Sequence, residues 1–257
     1  MKPIADNRAE LQKIIDLLEP VTNLGTPWTL TGDYLITGCV HIPYTDWNWC
    51  DRIIEVAKKN LKKPRKLLIA GDFFSLDNFS SYVQIVQCPT WAQERDTARA
   101  LFHVWMETFQ EIKMLMGNHE RRLQRWAAGN LDETDLISMV ISNPTRIEMS
   151  NFGWCNLEPG NWRVTHAKNF SIVPMTVPEK LANKYHRNII YFHPHRIGKT
   201  WDRYGNYVIL EGGCLADQSK LAYATLDDTT GSKMTKGFVL FKDGIAHIYG
   251  EEPYTKW

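Results

Sequence analysis

The chain has 257 residues, 44% of them hydrophobic, and a formal net charge of +1. That size suits one large globular domain or two small ones, and the charge excludes a strong nonspecific grip on nucleic acid or membrane, leaving room only for a local basic patch. Five scattered cysteines with no Cys-x-x-Cys pair exclude a disulfide framework and a zinc knuckle, which fits a reduced, cytoplasmic setting. The first residues lack the apolar core of a signal peptide, and no apolar run is long enough to span a bilayer.

In chain order, Leu11, Ile14, Ile15 and Leu18 predict a helix over Asn7 to Leu18, capped by Asp6. It forms an N-terminal arm over about residues 1–25 that packs on the main domain or on a second chain. Trp28 to Cys39 contains two strand pieces around Thr31-Gly32-Asp33. Asp46 caps a helix that buries Trp49, Ile53, Val56 and Ala57, and Leu67 to Ala70 is a second buried strand. The aromatic, polar stretch from Phe73 to Thr90 has no period and reads as a long loop. With the helix predicted over Trp91 to Gln110, it makes a candidate lid insertion over about 73–110. Phe73, Phe74, Phe79 and Tyr82 either wall a cleft and stack on a base or pack beneath a lid.

A strand over Ile112 to Met116 leads into Gly117-Asn118-His119-Glu120 and an amphipathic helix. Glu133 to Ile141 predicts a further helix, stopped by Asn143-Pro144. Strands follow at Arg146 to Met149 and Trp162 to Thr165, then a helix near Glu179 to Tyr185 and strands at Asn188 to Phe192 and Tyr207 to Leu210. Phe238 to Phe241 and Ile245 to Tyr249 form a hairpin across Lys242-Asp243-Gly244.

Five apolar strands run into metal-competent side chains: Cys39 and His41, Asp72, Asn118, His166, and His193 with His195. Any one of them has an ordinary structural explanation, since a lone histidine is more often a satisfied polar group and Asp72 alone could cap a helix. Recurrence after five strands favours metal binding, because open α/β sheets keep their sites at strand carboxyl ends.

These stretches, Cys39-Val40-His41, Gly71-Asp72-Phe73-Phe74-Ser75, Gly117-Asn118-His119-Glu120, His166 and His193-Pro194-His195, resemble the ordered motifs of the calcineurin-like metallophosphoesterase superfamily. His41-Ile42-Pro43-Tyr44 and the Arg121-Arg122 that follow Glu120 resemble phage and bacterial members, which would place a phage-encoded chain in host cytoplasm. The resemblance implies a four-layer α/β fold, with two mixed β-sheets packed as a sandwich flanked by helices, in a single domain over 1–257. It also implies two divalent ions bridged by Asp72. Cys39, His41, Asp72 and His195 would hold the first; Asp72, Asn118, His166 and His193 would hold the second. A dinuclear centre clamps a phosphoryl group and lowers the pKa of a bridging water, so that hydroxide is the nucleophile. Mixed N and O ligands suit Mn, Fe or Zn. The catalytic residues would be Asp72 and His119, the latter stabilising the transition state or protonating the leaving oxygen.

Two positions depart from the pattern. Cys39 stands where the family has aspartate, and it either ligates as thiolate, sits as a protonated buried thiol, or marks a scaffold that has lost catalysis. Ligation ranks first because every other ligand position is intact, and it favours Zn or Fe. Ser75 replaces an aspartate that supports the site by hydrogen bonding, with Asp77 as a candidate substitute.

Of the nearby cations Arg121, Arg122, Arg125, Lys168, Arg196, Lys199 and Arg203, the expected substrate contacts are Arg122 and Arg196. The resulting expectation is a metal-dependent phosphoester hydrolase, a phosphodiesterase whose substrate is a phosphoester, nucleotide or nucleic acid. The alternatives are a nuclease on DNA or RNA and a non-catalytic phosphate- or nucleotide-binding protein on the same fold.

Overall fold

The computed structural model describes residues 8–13, 25–81, 86–142, 144–226 and 233–251. The strands in chain order are β1 (Thr29–Thr31), β2 (Tyr34–Thr37), β3 (Lys66–Ala70), β4 (Glu111–Leu115), β5 (Ile147–Ser150) and β6 (Trp154–Glu158). They continue as β7 (Trp162–His166), β8 (Asn188–Phe192), β9 (Ile197–Trp201), β10 (Val208–Gly212), β11 (Gly237–Lys242) and β12 (Ile245–Gly250). They form two six-stranded mixed sheets, ordered β1-β6-β7-β8-β10-β9 and β12-β11-β2-β3-β4-β5.

Strand alternation builds the layers. Ile36, Leu68, Ala70 and Leu115 of the second sheet face inward and meet Val164, Ile190, Phe192 and Leu210 of the first. The alternate residues Leu35, Leu67, Ile69, Ile112 and Met114 face out and are covered by helices. α1 (Trp47–Asn60) buries Trp49, Ile53, Val56 and Ala57 and is capped by the Asp46 side chain, which accepts from the Asn48 amide. α2 (Trp91–Met106) starts in a Thr90–Gln93 capping box and buries Ala98, Leu101, Phe102 and Trp105. α3 (Glu120–Trp126) buries Leu123, and α4 (Glu133–Val140) buries Leu136, Ile137 and Val140. α5 (Thr176–Tyr185) lies with Val177 and Ala182 against Ile189, Tyr191 and Ile209 on the far face of the first sheet. The order helix, sheet, sheet, helix is the expected four-layer sandwich.

β2, β3 and β4 are mutually parallel, as are β7, β8 and β10. The strands that carry the ligand motifs therefore deliver their carboxyl ends to one place. The β11–β12 hairpin turns at Asp243 and Gly244, both with positive φ, as the turn residues require.

The candidate lid is redrawn. Its second half, α2, is the crossover between β3 and β4 and belongs to the core. In its first half Phe73 and Phe74 are fully buried, with Phe73 stacked on Phe102 and Phe74 beside Trp91. Those two rings are core, each contributing about 1.5–3 kcal/mol of burial, and do not stack on a base. Phe79 packs on Trp91 and Trp126. Tyr82 lies outside the described residues, as do Asp6, Ile14, Ile15 and Leu18; the N-terminal helix is described over residues 8–13. β6 and β9 were not expected from sequence. Among the described residues no helix is long and apolar enough to cross a membrane.

Candidate metal centre

Backbone strain is concentrated at this edge. Cys39 (φ 51°), His41 (φ 53°), Asp72 (φ 51°), His193 (φ 117°) and His195 (φ 55°) all have positive φ. Side chains other than glycine adopt this region at a cost, and such residues cluster where geometry serves a site. Gly117 is required for a different reason: a Cβ there would collide with the carboxylate and backbone nitrogen of Asp72.

Asp72 is the hub. It is buried, and its Oδ2 lies 3.0 Å from His166 Nε2, 3.9 Å from His119 Nε2 and 4.0 Å from His41 Nε2. Its Oδ1 accepts from the His119 amide at 2.9 Å. His41 and His195 face each other through their Nε2 atoms at 3.0 Å, and Cys39 Sγ lies 3.7 Å from His166 Nε2. Three overlapping sets have ligand atoms within 4.8 Å of one another: Cys39, His41 and His195; Cys39, Asp72 and His166; and His41, Asp72 and His119. Cys39 belongs to two of these sets, so its position is not confined to one ion. Asn118 Oδ1 and His193 Nδ1 are buried with no hydrogen-bond partner among the described residues, and the His193 ring lies 4.9 Å from that of His166. Buried polar atoms without partners are costly, and a cation would satisfy both. The donor set therefore fits divalent metal.

The electrostatics agree. Burial, with the neighbouring imidazoles, pushes His41 far below the ordinary histidine value. Burial takes His193 down to about 4, aided by His166. Burial likewise takes His195 down to about 3. Neutral imidazoles keep the lone pairs that metal ligation needs. At His166 burial opposes protonation, but the adjacent Asp72 carboxylate wins and raises it. Against the desolvation that would raise it, Asp72 is held well below the carboxylate range by His166, His119 and His41. Burial and Asp72 drive the Cys39 thiol well up.

His119 sits at the rim. Its Nδ1 lies 2.7 Å from the Ser75 carbonyl, and its Nε2 lies 3.1 Å from Arg122 Nη2. A carbonyl only accepts and a guanidinium only donates, so Nδ1 carries the proton and Nε2 presents its lone pair. Burial first, then the Arg122 charge, lowers His119, with Asp72 pulling the other way. Arg122 also donates to the Ser75 carbonyl at 2.8 Å and to Asp77 Oδ1 at 2.7 Å. The support expected from a Ser75 hydroxyl comes from its carbonyl instead, since Ser75 Oγ has no partner among the described residues. Asp77 acts by holding Arg122.

Arg196 is a correction. It is buried, pairs with Glu211 at 2.7 and 3.1 Å, and donates to the carbonyls of Ser171 and Ile172. Its donors are spent on fastening the loop ahead of α5 to β10, so it presents no fork to a substrate.

Two buried carboxylates do positioning work that sequence reasoning left unassigned. Glu120 accepts from the amides of Asp72 (3.0 Å), Phe74 (3.1 Å) and Gly117 (2.9 Å), tying the loops after β3 and β4 together. Burial and the Asp72 charge push it up to about 7, against the Phe74 amide. Glu94 of α2 accepts from the Ser75 and Leu76 amides at 2.7 and 2.8 Å. A sequence signal existed, for Glu94 lies four residues before Ala98 on the apolar stripe of α2. Burial raises Glu94 to about 8, against those two amides. The folded protein thus holds a proton that the unfolded chain releases in the ordinary carboxylate range. Stability is fully present below that range and is lost as pH rises through about 8. Glu94→Gln should remove this alkaline loss in thermal melts taken across pH. Glu94→Ala should cost about 1–3 kcal/mol at neutral pH, because the Leu76 amide is left without an acceptor.

The calcineurin-like phosphoesterase family profile matches residues 33–243. A Xenopus tropicalis protein described as eukaryotic translation initiation factor 3 subunit K is 25% identical over 159 residues, 60% of this chain. The chain spans 65% of the length of that relative. Among solved structures, Vps29 from Chaetomium thermophilum aligns with TM-score 0.44 and 12% identity over 87% of this chain and 96% of that one. Zn²⁺-complexed Vps29 from Entamoeba histolytica aligns with TM-score 0.37 and 13% identity over 85% and 98%. The family profile covers all five ligand-bearing strand ends, and the chain belongs to the calcineurin-like phosphoesterase family.

Proposed function

We propose that the protein is a phosphoester hydrolase, acting on phosphodiesters, with a dinuclear centre held by Cys39, His41, Asp72, Asn118, His166, His193 and His195. The observation that carries this reading is the buried Asp72 carboxylate shared by three imidazoles, with the partnerless Asn118 and His193 atoms beside it. When bound, paired divalent ions offset phosphoryl charge and make hydroxide available near neutral pH. The protein's own groups do the rest. Glu120 and Glu94 fix the loops that carry Asp72 and Ser75. Ser75 sets the His119 tautomer; Nε2, which accepts from Arg122 here, would take a proton from solvent once Arg122 turns to the phosphate, and pass it to the departing oxygen. Arg122, held by Asp77, places a cation beside that nitrogen, where phosphoryl charge would be bound.

Purified protein should carry two transition-metal equivalents and turn over bis(p-nitrophenyl) phosphate. One metal or none, with no turnover under any divalent ion, would leave a non-catalytic phosphate-binding protein on the same fold.

A further inference from the structure

A cavity of 470 Å³ opens from Asn118 and His166 along the outer face of the first sheet. Its lining includes five cationic side chains, Arg121, Arg125, Arg163, Lys168 and Lys184, and no carboxylate. In a chain of net charge +1, that concentration beside a catalytic centre is a local field for anions.

Arg163 is the built element. β7 alternates, so Val164 and His166 point into the sandwich and Arg163 points out. Its guanidinium lies between two rings, 3.5 Å from the Trp154 centroid and 3.8 Å from that of Tyr185. The residue is 6% exposed, yet its guanidinium has no hydrogen bond or ion pair among the described residues. Stacking uses the two faces of the plane and leaves the N–H edge free, which is the edge that binds phosphate in a fork. Lys168 and Lys184 stand exposed at the rim. Arg121 and Arg125, one turn apart on α3, add two further cations to the lining, with Arg121 steadied by the Asn151 carbonyl at 2.7 Å and Arg125 by the Asn118 carbonyl at 3.4 Å. Tyr185 lines the cavity as an exposed aromatic surface beside these charges, and Trp154 lines it as well. Cations interleaved with aromatics are the pattern that tracks a phosphate backbone and its bases.

We propose that this cleft is a subsite for phosphate groups beyond the one being cleaved. The substrate is then a nucleotide chain or nucleoside polyphosphate, not an isolated phosphoester. The proposal rests on the hydrolase reading for where the scissile phosphate sits.

Binding tests it without reference to turnover. Fluorescence anisotropy of a labelled short oligothymidylate, with probe integrity checked after each titration, is followed over a salt series with the protein as purified. Two or three engaged phosphates give a log–log salt slope of about −1.4 to −2.1. The rim variant Lys168→Glu/Lys184→Glu changes only exposed residues. It weakens binding on the order of tenfold or more and flattens the slope. Arg163→Gln weakens it similarly, and Arg163→Lys less. Lys62→Glu carries one of the same charge changes at an exposed site in the loop that precedes β3 of the second sheet, and leaves affinity unchanged. Displacement by inorganic tripolyphosphate as effective as by unlabelled oligothymidylate assigns the cleft to phosphates alone; displacement by the oligonucleotide only assigns it to a nucleotide chain. Wild-type affinity in the rim and Arg163→Gln variants overturns the proposal, as does equal weakening by Lys62→Glu. Failure here leaves metal content and diester turnover standing, and failure of those leaves this binding standing.

Discussion

His119→Ala should lower kcat on a phosphodiester with an alkoxide leaving group by about 10²–10⁴-fold. The loss should be much smaller on bis(p-nitrophenyl) phosphate, whose leaving group departs without a proton. The reasoning starts from the tautomer: with Nδ1–H donated to the Ser75 carbonyl, only Nε2 faces the site, and it must be protonated before it can act as an acid. Burial lowers the pKa of His119, so the working protonated form is depleted as pH rises through a value below the ordinary histidine range. The alkyl-ester rate should therefore fall with rising pH along a limb that His119→Ala abolishes. The aryl ester should show no such limb from this group. Metal content should match wild type in the variant, because His119 is not among the seven residues proposed to hold the ions, although it borders Asp72 in one of the three donor sets. Equal losses on alkyl and aryl esters would reassign His119 to charge stabilisation.

The strand ends were legible because two signals coincide there, an apolar run that must be buried and polar groups that cannot be buried without partners. Asp46 was legible as a cap, and Asp243-Gly244 as a turn, because each rests on local backbone chemistry. β9 was not legible: Ile197–Trp201 is an edge strand whose burial fades along its length, so no alternation marks it. The roles of Phe73 and Phe74 depended on Phe102 and Trp91, partners that only the fold supplies. Arg196 misled because adjacency to His195 in sequence says nothing about where a long side chain ends, and Glu211 captures it from another strand. Arg163 carried no motif at all; its significance comes from rings on β6 and α5 that close over it.

Cys39→Ala should drop the metal content after dialysis from two equivalents towards one. The lost affinity should exceed the roughly 10–100-fold cost of removing an outer-shell partner. Cys39→Asp should retain two equivalents and shift the preferred ion from Zn or Fe towards Mn, because a hard carboxylate replaces a soft thiolate. The physical conflict at this position motivates both outcomes. Burial and the Asp72 charge oppose a thiolate, so without a cation Cys39 is a protonated thiol beside His166. An adjacent divalent ion reverses that preference, since a coordinating thiol is deprotonated outright. The backbone keeps the comparison clean: at φ 51° aspartate is among the residues that tolerate the left-handed region best, so Cys39→Asp adds no strain. Cys39→Ser, which keeps the size and removes the soft donor, separates packing from ligation. Because bound metal stabilises the folded state by mass action, the alanine variant should also lose the melting-temperature rise that added Zn²⁺ gives wild type. Unchanged metal content in Cys39→Ala would show the thiol to be a packed bystander, with the first ion held by His41, Asp72 and His195 alone.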